Sequence, residues 1–368
     1  MRMTEHYDFQ PDWVCPPGET IADILQQRNL SPVHFAEILG WTPERATELL
    51  RGHARITRDT AGRLEAILGG SAQFWINREE HYRRDLARLE QESRAESEER
   101  WLDEIPLREM VTFGWVTEAQ FQIETARECL KFFDVRTVAE WRRKYRDLLE
   151  TTAFKTSPSF ESQPGAVAAW LRHGEIKASS IECRPWDSGQ FRALLPTIRR
   201  LTRQKNPSVF VPELVTRCAE SGVAVVVLRA PTGCRASGAT YFVSPSKAAL
   251  LLSFRYLADD HFWFTFFHEA GHLLLHDPGD LFLEIGEADD SNEEEQANEF
   301  AARLLVPEEF RSALFHLRAD GYEVIRFARK VGVAPGIIVG QLQHYGRIRR
   351  NQLNNLKRRF QWGTPEGV

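Results

Sequence analysis

From residue 17 to about residue 89, apolar side chains recur at three- and four-residue spacing in short blocks broken by Gly40, Gly52 and Gly69. That texture predicts a compact all-α domain of short helices. Within it, SPVHFAEILGWTPERATELL (31–50) predicts a helix, a tight turn at Gly40, and a second helix capped by Thr42 with Pro43 in its first turn. Ala36, Ile38 and Leu39 are expected to pack against Ala46, Leu49 and Leu50 where the two helices cross. The charged run 90–104 (EQESRAESEERWLDE) reads as a solvated helix extension or linker. Helical periodicity resumes over 105–205, with Trp115, Trp141 and Trp170 as aromatic anchors and no evident chemistry. Only after Asn206 do β-rich runs appear, VAVVVL (223–228), ATYFV (239–243) and AALLLSF (248–254), separated by turn residues and followed by long helices. The expectation is a multi-domain chain: an all-α helix-turn-helix domain over 1–90, a helical connecting segment over 91–205, an α+β unit over 206–345 and a basic C-terminal tail over 346–368.

Composition narrows the setting. A 42% hydrophobic share with 27% charged residues is ordinary for a folded protein. The net charge of -5 means that DNA binding would need a local basic surface. Cys15, Cys129, Cys183, Cys218 and Cys234 form no C-x-x-C pair, which suits a reducing compartment better than a disulfide scaffold. The first residues, MRMTEHYDFQPDW, have no apolar core for a signal peptide, and no uncharged apolar stretch approaches bilayer length. A cytoplasmic protein without a membrane partner is expected.

The sharpest chemical signal is FTFFHEAGHLLL (264–275). On a helix, residues four apart share one face about 6 Å apart along the axis, so His268 and His272 can reach one ion with Glu269 beside it. Catalytic zinc takes three protein ligands and keeps a fourth position for water, which Glu269 would deprotonate as general base while the metal polarises the scissile carbonyl. The apolar flanks predict a buried helix, where an uncompensated His-Glu-His trio would be costly. His276 lies about 12 Å along the axis from His268, too far to share its ion, and is better assigned to supporting a ligand. A metzincin-type third histidine would fall at Pro278, which excludes that class. The third ligand is then a carboxylate on the helix predicted for EEEQANEFAARLLVP (293–307). If Glu294 faces the metal, Ala297, Asn298 and Ala301 share its face and let the two helices approach closely.

FHEAGHLLLH (267–276) followed by EEQANEFAARLLVP (294–307) resembles the ImmA/IrrE-type metallopeptidases. Weaker similarity runs from about residue 101 to 360. The resemblance implies a zincin-like fold for 206–345, one Zn2+ per chain held by His268, His272 and Glu294, and Glu269 as the catalytic glutamate. His276 and Asn298 are expected behind the ligands. A sheet over the active-site helix would offer an edge to an extended peptide.

In the N-terminal domain, the second helix of the pair would enter the major groove, with Thr42, Glu44 and Arg45 reaching base edges. Arg51, Arg55 and Arg58 follow it and are candidates for phosphate contacts. Over 28–63, six arginines stand against four acids, a mild local excess. The stretch 17–79, with RGHARIT and SAQFWINRE, resembles the HigA-type antitoxin domain of the XRE regulators. It departs from the usual reader residues at Pro43-Glu44, so no operator follows from it. The resemblance implies a homodimer on double-stranded operator DNA. The tail carries Arg347, Arg349, Arg350, Lys357, Arg358 and Arg359 with Leu353, Leu356 and Phe360 at helical spacing, and is expected to form an amphipathic helix docked on the peptidase unit, with a second nucleic-acid contact as the alternative.

The leading expectation is a DNA-binding regulator fused to a zinc endopeptidase that cleaves a repressor, toxin or other regulatory protein. The alternative is an antitoxin-like autorepressor that neutralises a partner toxin by binding, its metal site structural or vestigial; the intact Glu269 argues against it. A third reading keeps the protease and makes the helix-turn-helix a protein-docking module.

Overall fold

The computed structural model describes residues 14–145, 163–277, 281–285 and 292–363. Pro278, on which the exclusion of a metzincin-type ligand rests, and residues 1–13 and 364–368 lie outside these. The chain divides into two compact units, Met1–Ser97 and Glu98–Val368.

The first unit is helical: α1 (Pro17–Gln27), α2 (Pro32–Leu39), α3 (Pro43–Leu50), α4 (Arg58–Leu68) and the long α5 (Ala72–Trp101). Ser31, Thr42 and Thr57 each have extended backbone and accept a hydrogen bond from the N–H three residues on, so α2, α3 and α4 start where the sequence offers a hydroxyl cap. Gly40 ends α2 with φ of 65°. The core of the unit includes Ile21, Phe35, Ala36, Leu39, Ala46, Leu49, Leu64 and Trp75. One packing expectation is corrected: Ile38 is 45% exposed, and Phe35 fills the place given to it. Residues 35 and 39 lie one turn apart and share the inner face with Ala36, and Ile38 falls outside that stripe. A Cβ on Gly18 would sit 2.0 Å from the carbonyl oxygen of Leu50, so this glycine lets α1 touch the end of α3. The charged run 90–104 forms the end of α5 and a single 3-10 turn, Leu102–Glu104.

The second unit begins with α6 (Leu107–Thr112), α7 (Gln122–Phe132), α8 (Val138–Lys144), α9 (Pro164–Ser180), α10 (Ser188–Leu201) and α11 (Pro207–Ala219). Then follow β1 (Val223–Val227), β2 (Ala236–Ser244), β3 (Lys247–Leu252), α12 (Asp259–Leu275), β4 (Phe282–Ile285), α13 (Asn292–Leu305), α14 (Glu308–Phe315), α15 (Gly321–Val331) and α16 (Pro335–His344). The sheet runs β1-β3-β2-β4. β1 is parallel to β3, and β2 is antiparallel to both β3 and β4.

Alternate strand residues point to two different cores. Val223, Val225, Ala248, Leu250 and Leu252 pack with α10, α11 and α12, whereas Ala224, Val226, Ala249 and Leu251 pack with α9 through Ala166, Val167 and Trp170. Burial on both faces explains why the strands read as continuous apolar runs without alternation. The sequence boundaries at 205 and 345 fall inside this unit, because α9 and α10 cover the sheet and Ile348 and Phe360 enter the core under α12. β4 was not expected from the sequence: four residues, Phe-Leu-Glu-Ile, are too few to show a period.

The expected amphipathic helix of the tail is also corrected. After α16 the chain turns at Gly346 (φ 65°) and Leu353 (φ 58°) and forms a single 3-10 turn, Asn354–Leu356. Gln343 Nε2 donates to the carbonyls of Arg350 and Gln352 and to Asn354 Oδ1, and these bonds fold the segment back on α16. It docks on the unit through Phe360 without becoming a helix. No helix of the described residues is long and apolar enough to cross a membrane.

Candidate metal centre and the helix-turn-helix surface

The packing of α12 against α13 builds the centre. On α13, Ala297 and Ala301 are fully buried at the contact. On α12, a Cβ on Gly271 would lie 3.1 Å from Phe300 Cδ1 and 3.2 Å from Ala297 Cα. Small residues on both helices therefore set the separation at which a side chain of α13 reaches the histidines of α12.

That side chain is Glu294. Its Oε2 lies 3.1 Å from His268 Nε2 and its Oε1 3.5 Å from His272 Nε2, and the two Nε2 atoms are 2.9 Å apart. Ligands about 2.1 Å from a tetrahedral zinc stand roughly 3.4 Å from one another, so the spacing suits a single small ion. Among the described residues this trio is the one group of three or more His, Cys, Asp or Glu that could hold a metal. Burial holds the His272 imidazole below its ordinary value, with Glu294 opposing the effect. Burial alone would raise the Glu294 carboxyl, but hydrogen bonds and charge from His268 and His272 outweigh it and hold the group well below the usual carboxylate range. A neutral His272 imidazole facing an ionised Glu294 carboxylate matches the protonation states that ligation requires.

Behind the ligands, His268 Nδ1 lies 3.0 Å from Asn298 Oδ1, and His272 Nδ1 lies 3.0 Å from His276 Nδ1. The amide oxygen can only accept, so a hydrogen bond there places the His268 proton on Nδ1 and leaves the Nε2 lone pair for a metal. Phe282 of β4 stacks on His272 with ring centres 4.3 Å apart and shields that imidazole.

Glu269 is fully buried on the sheet side of α12. Its Oε2 accepts a hydrogen bond of 3.1 Å from Thr240 Oγ1 of β2. A Cβ on Gly238 would stand 2.4 Å from Glu269 Oε1 and 2.7 Å from Thr265 Cγ2, so the missing side chain is the space the carboxylate occupies. Gly238, Thr240 and Gly271 were not singled out from the sequence. A glycine inside the β-rich stretch was the available sign of a close approach.

In the first unit, Thr42, Glu44, Arg45, Arg51, Arg55 and Arg58 are all exposed. Arg45 lies over the Trp41 ring at 4.2 Å, on the first turn of α3. Thr42 caps α3 through Arg45 N–H. The local basic excess divides into two roles. Arg28 donates to the carbonyls of Ile67 and Leu68, and Arg63 to Asp59 and the Leu39 carbonyl. Arg45, Arg51, Arg55 and Arg58 remain as the outward cations of that stretch.

Comparison with known proteins bears on both units. Residues 221–342 match the IrrE N-terminal-like domain of peptidase family M78. The N-terminal region is 38% identical over 80 residues to virulence-associated protein I of Dichelobacter nodosus, covering 22% of this chain and 72% of that protein. The chain belongs to the helix-turn-helix regulators fused to an IrrE N-terminal-like peptidase domain. The same region is 36% identical over 61 residues to the uncharacterized HTH-type transcriptional regulator YddM of Escherichia coli (strain K12). That match covers 17% of this chain and 65% of the E. coli protein, just under two thirds of its length. In this fusion the peptidase match begins just before β1 and ends in α16, so it contains both helices of the candidate metal centre and the whole sheet.

Proposed function

We propose that the chain is a transcription regulator that binds operator DNA through α3 and cleaves a regulatory protein, a repressor or a toxin, at a zinc centre made by His268, His272 and Glu294. The observation that carries the peptidase half is the convergence of two Nε2 atoms and a carboxylate from two helices, with Glu269 held beside them against β2. Bound zinc supplies a polarised water and a Lewis acid for the scissile carbonyl. The chain's own residues do the rest. Asn298 and His276 orient the ligands, Thr240 holds the Glu269 carboxylate, and Glu269 takes the proton from the attacking water and delivers it to the leaving amine. For DNA, Thr42, Glu44 and Arg45 face the base edges and Arg51, Arg55 and Arg58 the phosphates, in a homodimer on a two-fold operator. The setting is cytoplasmic.

The test is elemental analysis of wild type and His268→Ala, run beside cleavage of the proteins encoded next to the gene, with Glu269→Gln as control. One equivalent of zinc, lost in His268→Ala, and cleavage, lost in Glu269→Gln, are expected. Zinc without cleavage of any partner would favour the antitoxin-like autorepressor. Absence of bound metal would remove the peptidase reading.

A further inference from the structure

A cavity of about 620 Å³ runs beside the first half of α12. Its walls come from β2, the residues before α12, the first half of α12, the end of α13, α16 and the segment that follows it. The cavity reaches the candidate centre at two points. Thr265 lines it and also meets the space above Gly238 that the Glu269 carboxylate fills. Phe264 lines it and stacks on His268 at 6.3 Å between ring centres. The cavity therefore adjoins the candidate centre through Thr265 and Phe264.

The charge of its wall is one-sided. Arg350, Lys357 and Arg359 contribute fixed positive charge, and Asp260 is the one acidic side chain lining it. Asp260 already pairs with Lys357 at 2.6 Å, both side chains being buried. Arg350 and Arg359 are exposed, which leaves their charge available to a ligand. The wall is also held in place. Gln343 Oε1 accepts from Lys357 Nζ at 2.7 Å, its Nε2 binds the Arg350 and Gln352 carbonyls, and Arg359 Nη1 donates to the Tyr256 carbonyl. Phe264, half-buried, adds apolar surface to the same cavity. A preorganised cationic wall around an apolar strip selects its ligand by charge complementarity.

We propose that this cavity is a substrate subsite for an extended peptide segment that carries acidic side chains next to an apolar residue. Arg350 and Arg359 meet the carboxylates and Phe264 receives the apolar side chain. The proposal rests on the peptidase reading, and it names the substrate class: an acidic stretch flanking the scissile bond.

The test uses the full chain carrying Glu269→Gln, loaded with zinc, and two fluorescein-labelled probes. One is a short leucine-containing peptide with several glutamates, the other the same peptide with glutamines. By fluorescence anisotropy at low salt, the glutamate peptide is expected to bind at least about tenfold tighter, or about 1.4 kcal/mol. Arg350→Glu, whose side chain faces the cavity, should abolish that preference, whereas Arg329→Glu, an equal change of net charge on α15, should leave it. Thermal unfolding of both variants checks their folding. Equal or undetectable binding of both peptides, or the same loss in Arg329→Glu, overturns the subsite. So does displacement of the bound peptide by a single-stranded oligothymidylate at equal concentration, which would make the wall a nucleic-acid surface. Binding is read in a chain that cannot cleave, so these failures leave the peptidase reading standing. Failure of that reading shows separately, as absence of zinc-dependent cleavage by the wild type.

Discussion

Removing the Asn298 carboxamide should weaken the metal centre without touching a ligand. In the folded chain His268 Nδ1 and Asn298 Oδ1 are 3.0 Å apart, and the His268 side chain is almost completely buried. With alanine at 298 the imidazole loses the acceptor that fixes its ring plane and tautomer, and the loss of that hydrogen bond costs about 1–3 kcal/mol. Part of that cost falls equally on the metal-free and metal-bound chain. The remainder appears as lost affinity, because ligation makes the imidazole N–H a stronger donor and demands that Nε2 stay unprotonated. Changes to such supporting groups typically lower metal affinity about 10- to 100-fold, equivalent to roughly 1.4–2.7 kcal/mol. Competition for zinc against a fluorescent chelator near neutral pH measures this directly. Asn298→Asp retains an acceptor in the same place and should keep or exceed wild-type affinity. An Asn298→Ala chain within about twofold of wild type, or an Asn298→Asp chain as weak as the alanine variant, would refute the reasoning.

Gly238→Ala would drive a methyl to within 2.4 Å of Glu269 Oε1; a shift of about 1 Å in a reacting group can cost about 100-fold. Turnover should collapse while zinc content stays at one equivalent, as elemental analysis and a cleavage assay on the same sample would show. Gly271→Val should push α13 away from α12, costing about 1–3 kcal/mol of stability by overpacking and lowering zinc stoichiometry; unaltered metal content would contradict the packing account. Burial raises the Asp259 carboxyl to about 6, with backbone hydrogen bonds from Arg358 and Asp260 opposing and the Asp260 charge adding. The native state therefore holds this proton after the unfolded chain has lost it, and stability falls as pH rises from about 4 to 6, by up to roughly 3 kcal/mol. Asp259→Asn should remove that loss, measured by chemical denaturation at both pH values. Alanine at each of Arg51, Arg55 and Arg58 should reduce the salt slope of operator binding by about one for each phosphate that is no longer neutralised; an unchanged slope would place the DNA surface elsewhere.

The parts of this molecule that could be read from the sequence are those whose partners lie close along the chain. His268 and His272 share a helix face because of their spacing, and Thr42 caps α3 because a hydroxyl precedes a proline at the helix start. Glu294 was within reach because Ala297, Asn298 and Ala301 share its face on the following helix. Contacts made across elements left only faint marks. Thr240 reaches Glu269 from a strand 29 residues earlier in the chain, and nothing about a threonine in a β-rich run distinguishes it. Gly238 and Gly271 act through the volume of a side chain they lack, a property that shows only when the neighbour occupying it is known. β4 is too short to show a period, and Phe282 meets His272 only after the chain has returned to the sheet.

The C-terminal stretch shows how composition misleads when tertiary hydrogen bonds compete with helix formation. Its leucines and basic residues have a helical period, yet Gln343 captures two carbonyls and an asparagine of the segment. A helix would have to break those bonds and draw Phe360 out of the core, and the fold keeps both. The basic side chains then divide by what each carbonyl or carboxylate nearby demands. Arg347 binds the Phe315 carbonyl, Arg358 the carbonyls of Thr202 and Gln204, and Lys357 neutralises buried Asp260. These three are committed to holding the segment against the unit. Arg350 has no structural task of this kind for its side chain among the described residues, and Arg359 binds one carbonyl while staying exposed. An exposed charge of this kind contributes little to folding, so the Arg350 guanidinium on the cavity wall is open to an anionic ligand, as the proposed subsite requires. The basic residues of the tail thus divide between docking the segment and, in the proposed subsite, meeting an acidic substrate, and their period is that of a docked segment with apolar anchors.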